Sequence, residues 1–168
     1  YRKLFRAMDI SEAINGEFKF VELCNGVVRP VSQEEKRNPK LLPEDAKIFR
    51  TNTAVSPEPS TNLTCEIDFG GTRHHSGATR HWKTSVEGML KLFRIDRLVV
   101  ENSPTRMYKR YFADFPVIEL NNTWGDTRSE QSQVYVVQTV ETVIQRCLLM
   151  TTDPGDLVFD PTCGSGHF

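Results

Sequence analysis

The sequence predicts an α/β chain in which a mixed α+β region is followed by the opening of a nucleotide-binding type of α/β unit. Residues 157–159 form an apolar run without alternation, which is typical of a strand covered on both faces of a parallel sheet. Asp160 follows this run, and Gly164 and Gly166 lie in the next loop. Glycines at that position let backbone amides approach a ligand beyond the carboxyl end of a strand. A helical pattern with a turn precedes the run, so this part of the chain is predicted to form a helix, a strand and a glycine loop.

The first elements predict a β-hairpin after a weakly helical start. Residues 1–16 give weak helical signals and end at an Asn15-Gly16 turn. Residues 17–23 and 27–31 flank Asn25-Gly26, the dipeptide most typical of a tight hairpin turn. Pro30 has no backbone N–H, which predicts that the second strand lies at a sheet edge.

A short helix, a strand and a surface loop are expected next. Ser32 and Glu35 have the spacing of a capping box, and Pro39 ends the helix that they begin. Residues 47–50 predict a short strand. Residues 51–64 are rich in proline and small polar residues and predict a surface loop.

The middle of the chain contains a second strand region and the clearest helix. Residues 65–69 alternate and end at Gly70-Gly71, whereas Gly77 predicts a loop for the basic stretch around it. Residues 84–87 resemble another capping box, and apolar residues at helical spacing extend the helix to about Asp96. Residues 98–100 predict a strand. Residues 107–112 interleave aromatic and basic side chains, which suits phosphate and base contacts but also an exposed strand with cations lying along it.

The C-terminal helix is predicted to start at Thr139 and to end before residue 153. Thr139 is the expected N-cap. The inner face of this helix is expected to consist of Val143, Ile144, Cys147 and Leu148. Residues 153–156, Asp-Pro-Gly-Asp, predict the tight turn that leads to the strand at residue 157.

Basic residues are concentrated in one part of a chain whose net charge is −1. Residues 72–111 contain nine Lys or Arg and three acids, a local balance of +6. The nine are Arg73, Arg80, Lys83, Lys91, Arg94, Arg97, Arg106, Lys109 and Arg110. This concentration favours a polyanionic partner, with a solvated face of an ordinary domain as the alternative.

Composition excludes several classes of protein. The four cysteines are far apart and form no CxxC pair, which indicates reduced thiols in a cytoplasmic protein rather than a disulfide framework or a zinc site. No apolar run has the length of a membrane span and no signal peptide is visible, so no membrane partner is expected. The chain begins with Tyr1 and ends within the glycine loop, and we expect it to be an internal fragment.

The loop at residues 160–166, Asp-Pro-Thr-Cys-Gly-Ser-Gly, has the chemistry of a cofactor site. It lacks the Lys-Ser/Thr of a P-loop and the third glycine of the dinucleotide fingerprint. An acid at the end of the strand repels phosphate and favours a cationic amine. S-adenosylmethionine, which carries an ammonium and a sulfonium, fits this requirement. The alternative is a tight turn in which Asp160 caps a helix.

Three motifs of the C-terminal part resemble the amino-methylating DNA methyltransferases, which modify adenine N6 or cytosine N4. These are residues 135–139 (Tyr-Val-Val-Gln-Thr), the helix and turn up to residue 158, and the loop at 160–166. The similarity is greatest to the branch in which the catalytic motif precedes the cofactor motif. It covers roughly residues 27–166 and is strongest over 134–166.

The resemblance implies a fold and a cofactor site. The fold would be an incomplete Rossmann-like methyltransferase domain, with a target-recognition and intervening region at 1–133 and the start of the S-adenosylmethionine-binding subdomain at 134–168. Adenine N6 is the favoured target, in a restriction-modification system. The implied cofactor residues are Asp160, Pro161, Cys163, Gly164, Ser165 and Gly166, with Gln138 and Thr139 on a second wall of the pocket.

Double-stranded DNA is the partner that the resemblance implies, with a restriction endonuclease subunit as a further candidate. The segments 80–84, 87–89, 96–98, 109–112 and 122–124 resemble the region between the two halves of these enzymes, which agrees with the basic window. The expected DNA contacts are Arg73, Arg80, Lys83, Arg106, Lys109 and Arg110.

The sequence departs from the family pattern at two points, which limits the residue roles that the resemblance implies. The family continues the loop with a small residue and a helix, whereas this chain has His167-Phe168. The catalytic Asp/Asn-Pro-Pro-aromatic tetrapeptide, which holds a flipped base, is missing because no Pro-Pro pair occurs in the sequence. We expect it N-terminal to Tyr1, assign no catalytic or metal-binding residue, and expect no activity from this chain alone. The alternatives are a non-catalytic DNA-recognition module and a methyltransferase acting on RNA or a small molecule.

Overall fold

The computed structural model describes residues 1–99, 107–125, 127 and 139–162. This part of the chain is mixed α/β with mostly strands, which confirms the predicted class in its coarse form. The strands are β1 (Phe5–Ala7), β2 (Phe20–Glu22), β3 (Val28–Pro30), β4 (Lys47–Thr53), β5 (Val55–Pro57), β6 (Glu66–Phe69), β7 (Thr72–His75), β8 (Arg80–Trp82), β9 (Leu98–Val99), β10 (Met107–Tyr111) and β11 (Val117–Glu119). The helices are α1 (Ile10–Asn15), α2 (Gln33–Arg37), α3 (Val86–Arg94) and α4 (Glu141–Thr151), with 3-10 turns at Pro39–Leu41 and Phe112–Asp114.

The chain divides into two compact units. The larger unit is Asp9–Pro116, and the smaller unit combines Tyr1–Met8 with Val117–Phe168. The predicted boundary between residues 133 and 134 falls outside the described residues and stays a prediction.

A five-stranded antiparallel sheet organises the larger unit, in the order β3-β2-β4-β10-β9. The predicted hairpin is confirmed as β2–β3, and Gly26 in its turn has a φ of +80°. Pro30 lies in β3, which is an edge strand as predicted. The proline therefore sits where its missing N–H removes no bond to a further strand.

The predicted capping box of α2 is also confirmed. The Ser32 hydroxyl accepts a hydrogen bond from the Glu35 backbone N–H, and the Glu35 carboxylate accepts one from the Ser32 N–H. Pro39 starts a 3-10 turn rather than continuing the helix. Local sequence is sufficient here because donor and acceptor are three residues apart.

The predicted surface loop at 51–64 is wrong over its first part. β4 continues to Thr53, and β5 follows at Val55–Pro57. β10 pairs with β4 from Phe49 to Thr53 and supplies hydrogen bonds that the local sequence does not reveal. The loop predicted around Gly77 is likewise interrupted by β8, which pairs with β5.

A hydrophobic core is formed by the antiparallel pair β5–β8, the hairpin β6–β7, helix α3 and strand β9. Its buried members are Ala54, Val55, Ile67, Phe69, Trp82, Met89 and Leu98. Trp82 donates its indole N–H to the Cys65 carbonyl at 3.0 Å, so this fully buried ring leaves no orphan donor. α3 is capped by Ser85, which accepts from the Gly88 N–H, instead of by the predicted box at residues 84–87.

The smaller unit contains the antiparallel pair β1–β11 and the helix α4. Arg146 of α4 is buried and lies over the Trp124 ring, 5.4 Å from its centroid. Every strand pair in the described part of either unit is antiparallel, so the parallel sheet predicted around residue 157 is not observed there.

Candidate functional site

Helix α4 leads to the predicted cofactor loop, but its first turn differs from the prediction. Val140 is the N-cap residue and makes no side-chain cap hydrogen bond, so Thr139 does not cap the helix. Thr139 is exposed one residue earlier. Cys147, predicted on the inner face, is exposed, whereas Val143, Ile144 and Leu148 are half-buried.

The turn after α4 is held by polar contacts within the smaller unit. The Asp156 N–H donates to the Asp153 carbonyl at 3.0 Å, and the Asp153 N–H donates to the Asp156 carboxylate at 2.7 Å. Gly155 has a φ of +96°, which only glycine adopts readily. Arg2 forms an ion pair with Asp153 at 2.5 Å and donates to the Thr152 carbonyl at 2.8 Å. The predicted turn is therefore confirmed and fixes the start of the segment that follows.

The predicted buried strand at residues 157–159 is wrong in this structure. No strand is present at these residues, and the side chains of Leu157 and Phe159 are 95% and 83% exposed. A central strand needs hydrogen-bonding neighbours on both sides, and no described strand pairs with this segment. The apolar run is therefore presented on the surface.

Asp160 adopts a defined local geometry. Its Oδ1 accepts hydrogen bonds from the Thr162 N–H at 2.8 Å and from the Thr162 hydroxyl at 3.1 Å, which is an Asx turn. Oδ2 accepts no hydrogen bond from the described residues, and both Asp160 and Pro161 are exposed. One carboxylate oxygen thus faces solvent and can accept a hydrogen bond from an ammonium group. Gln138, Cys163, Gly164, Ser165 and Gly166 lie outside the described residues, so their predicted role stays a prediction.

The basic window separates into two groups in the larger unit. The first group forms ion pairs with carboxylates. Lys91 pairs with Glu87 at 2.8 Å, and Arg97 pairs with Asp114. Arg73 lies 3.5 Å from both Glu66 and Asp68. Lys109 is also paired. The members of the window without a carboxylate partner among the described residues are Arg80, Lys83, Arg94 and Arg110. Arg106 lies outside the described residues.

Lys109 was predicted to contact DNA, but the structure places it in a buried ion-pair network. Its side chain is 8% exposed, and its Nζ donates to Glu22 at 2.8 Å and to Asp96 at 2.9 Å. Burial opposes its charge, but the hydrogen bonds to Glu22 and Asp96 together outweigh burial and raise its pKa. Glu22 also accepts a hydrogen bond from the Tyr111 hydroxyl at 2.7 Å. Lys109 therefore holds β10 to β2 and to the turn that follows α3.

The exposed cations follow β8. Arg80 is exposed at the start of this strand and Lys83 is exposed directly after its end, whereas Trp82, its last residue, is buried in the core. His81 lies between Arg80 and Trp82, with its Nδ1 2.6 Å from the Glu58 carbonyl oxygen. A rigid core residue thus fixes the backbone from which the two cations extend. In the ranges that the structure describes, no group of three or more His, Cys, Asp or Glu side chains is arranged to hold a metal ion.

Sequence reasoning missed Arg50 and Glu22, which contribute to the charge arrangement. Arg50 lies in β4 directly opposite Arg110, and Glu22 accepts hydrogen bonds from Lys109 and Tyr111. Each of these residues is too far in sequence from its partner for a local sequence motif to reveal the contact. Alternation within residues 107–111 was the available signal, since it already separates Lys109 from Arg110 onto opposite faces of a strand.

Comparison with protein-family models, with curated proteins and with solved structures finds no match to this chain. Among the described residues, no helix has the length and apolar character needed to cross a membrane.

Proposed function

We propose that this chain is part of an S-adenosylmethionine-dependent DNA methyltransferase that methylates an exocyclic base amine, with adenine N6 favoured over cytosine N4. The observation that carries the proposal is the Asp-Pro-Thr-Cys-Gly-Ser-Gly loop at 160–166 after a helix and a fixed turn. Such an enzyme would act in the cytoplasm on double-stranded DNA, within a restriction-modification system and with a restriction endonuclease subunit as a further partner. Residues 134–168 would begin its Rossmann-like subdomain.

The geometry at Asp160 supports a site for the amino-acid part of the cofactor. Oδ1 is used in the Asx turn, which orients the carboxylate, and Oδ2 is available to an ammonium group. A charge-assisted hydrogen bond of this kind contributes about 1.5–3 kcal/mol. When bound, S-adenosylmethionine supplies the methyl group on its sulfonium. Asp160 and the glycine loop would hold and orient it.

Binding of S-adenosylmethionine tests the cofactor site. We expect binding by the wild-type chain in saturation-transfer NMR and calorimetry, and an affinity about tenfold or more lower for Asp160→Asn. Asp45→Asn is the matched control, because Asp45 is an exposed carboxylate of the other unit and the charge change is the same. Equal affinities for wild type and Asp160→Asn, or no binding by the wild type, would contradict the assignment.

The absence of a Pro-Pro pair predicts that the 168 residues do not transfer the methyl group by themselves. The family tetrapeptide accepts hydrogen bonds from the base amine and stacks on the flipped base, and no equivalent is present in this sequence. Incubation with duplex DNA and radiolabelled S-adenosylmethionine should leave the DNA unlabelled. Label in adenine or cytosine would show that this chain carries its own catalytic residues.

Binding of duplex DNA tests the basic surface. Arg80 and Lys83 are exposed cations without carboxylate partners in the described part of the chain. The double variant Arg80→Gln/Lys83→Gln should therefore bind duplex DNA more weakly, whatever the base sequence of the duplex. The slope of log K against log salt should fall by about 1–2. Each single variant should show about half of the decrease that the double variant shows. Lys91→Gln is the control, because the charge of Lys91 is already balanced by Glu87. A salt slope unchanged in the double variant would remove β8 from the interface.

A further inference from the structure

Two arginines face each other on one side of the five-stranded sheet. Arg50 of β4 is the direct cross-strand partner of Arg110 of β10, and the next pair on the same face is Asn52 with Tyr108. Like charges directly opposite each other destabilise an antiparallel pair. The sheet therefore keeps a charge arrangement that is unfavourable unless an anion lies between or over the two guanidinium groups.

Local contacts balance this charge only in part. Glu17 forms an ion pair with Arg50, but the Glu17 side chain is 71% exposed, whereas that of Arg50 is 22% exposed. Nε of Arg50 is buried and has no hydrogen-bond partner among the described residues. The pKa of Arg50 is lowered, first by burial and next by repulsion from Arg110. Arg50 thus retains an unused donor next to a second cation.

Arg110 has still less compensation. No carboxylate in the described part of the chain lies within ion-pair distance of it. The nearby Asp114 is bound through both carboxylate oxygens to Arg97. The Arg110 guanidinium lies over the Phe115 ring at 5.7 Å from its centroid, and that of Arg50 lies over Phe18 at 5.6 Å. The aromatic rings hold both groups in place without neutralising them.

We propose that Arg50 and Arg110 together bind one phosphate group, and that in the cell this group belongs to the backbone of the DNA duplex. Guanidinium groups present paired N–H donors that match the oxygens of a phosphate, and two of them on neighbouring strands give a rigid site. The assignment of DNA rests on the proposed function, whereas the phosphate site itself does not.

Thermal unfolding in phosphate and in chloride, at the same pH and ionic strength, tests the phosphate site. The wild-type chain should melt roughly 2–5 °C higher in phosphate. Arg110→Gln removes the repulsion and the site together, so it should melt at or above the wild-type temperature in chloride and gain less from phosphate than the wild type, keeping only the general stabilisation that phosphate gives to folded proteins. Arg94→Gln, the same change at an exposed arginine of α3, should keep the phosphate increment. Arg110→Lys keeps the charge but not the paired donors, and its increment should be reduced.

The phosphate site is overturned if Arg110→Gln retains the increment, or if it melts well below the wild type in chloride. The source of the phosphate is tested with a DNA duplex, where Arg110→Gln should lower the salt slope by about 1 and Arg94→Gln should lower it less. An Arg110-dependent increment with an unchanged DNA slope would assign the site to free phosphate and overturn the DNA part. The same increment in a chain that binds neither DNA nor S-adenosylmethionine would leave the site standing and remove the proposed function.

Discussion

Glu35 shows how one buried carboxylate can organise three local contacts. It closes the capping box of α2 and accepts two hydrogen bonds from Arg29, at 2.8 and 2.6 Å. The hydrogen bonds from Arg29, followed by those from Ser32, outweigh burial and lower the pKa of Glu35 from 4.5 to about 2. The folded state thus holds this group ionised at a pH where the unfolded chain protonates it.

The direction of the pH dependence follows from this lowered pKa. The stabilisation by Glu35 is fully present above pH 4.5 and is lost as the pH falls toward 2. Glu35→Gln should be less stable than the wild type at pH 7 by about 1–3 kcal/mol and should lose less stability between pH 4.5 and 2. Urea unfolding across this range measures both effects. Glu34→Gln changes an exposed neighbour in the same helix and should follow the wild-type profile; equal profiles for all three proteins would show that Glu35 does not contribute.

At the scale of one element, β10 uses its two faces differently. Lys109 and Tyr111 point to the face that carries Glu22, whereas Tyr108 and Arg110 point to the face that carries Arg50. Burial, followed by the hydrogen bond to Glu22, raises the pKa of Tyr111 to about 12, so its hydroxyl remains a donor throughout the neutral range. One face of the strand therefore has paired charges, and the other has like charges opposed.

This difference predicts opposite effects for substitutions at adjacent residues. Lys109→Met should destabilise the chain by about 2–4 kcal/mol, because it leaves the carboxylate of Glu22, whose side chain is 16% exposed, without its cation. Arg110→Gln should be neutral or stabilising in chloride, because it removes the repulsion from Arg50. Urea unfolding at pH 7 measures both variants. Lys91→Met breaks an exposed pair one turn apart in α3 and should cost less than about 1 kcal/mol. A Lys109→Met variant as stable as Lys91→Met would mean that the network does not hold β10 in place.

At the scale of the whole molecule, local signals were sufficient for several turns and one cap whose donor and acceptor are close in sequence, but not for the caps of α3 and α4. The Asn25-Gly26 hairpin, the Ser32 cap and the turn at 153–156 were predicted for that reason. The Gly70-Gly71 turn was also predicted, and both glycines have positive φ in the structure. Pairing between distant strands was not predictable, because β4 and β10 are more than 50 residues apart and each looks like an isolated short strand. The same limit applies to the candidate DNA surface: the sequence located the basic window, but only the pairing shows that Lys109 is neutralised and that Arg110 faces Arg50.

The strand predicted at 157–159 was wrong for a related reason. An unbroken apolar run predicts burial, yet burial requires neighbouring strands that the described part of the chain does not provide. The helix before the run and the Asx turn after it are formed by local contacts, so they are present without the strand. The apolar side chains therefore remain exposed between two ordered features.

This exposure predicts where the folded chain is cleaved. Chymotrypsin cuts after large apolar residues in accessible, unpaired backbone, and Leu157 and Phe159 satisfy both conditions. Limited digestion followed by mass spectrometry should therefore give cuts after Leu157 or Phe159 before any cut after the buried aromatic residues Phe49, Phe69 or Trp82. Phe159→Ser removes one site and should leave the other. S-adenosylmethionine held at Asp160 should slow both cuts, and Asp160→Asn should abolish that protection while leaving the cleavage pattern unchanged. Early cleavage within β4 or β8 would show instead that the sheets open more readily than this segment.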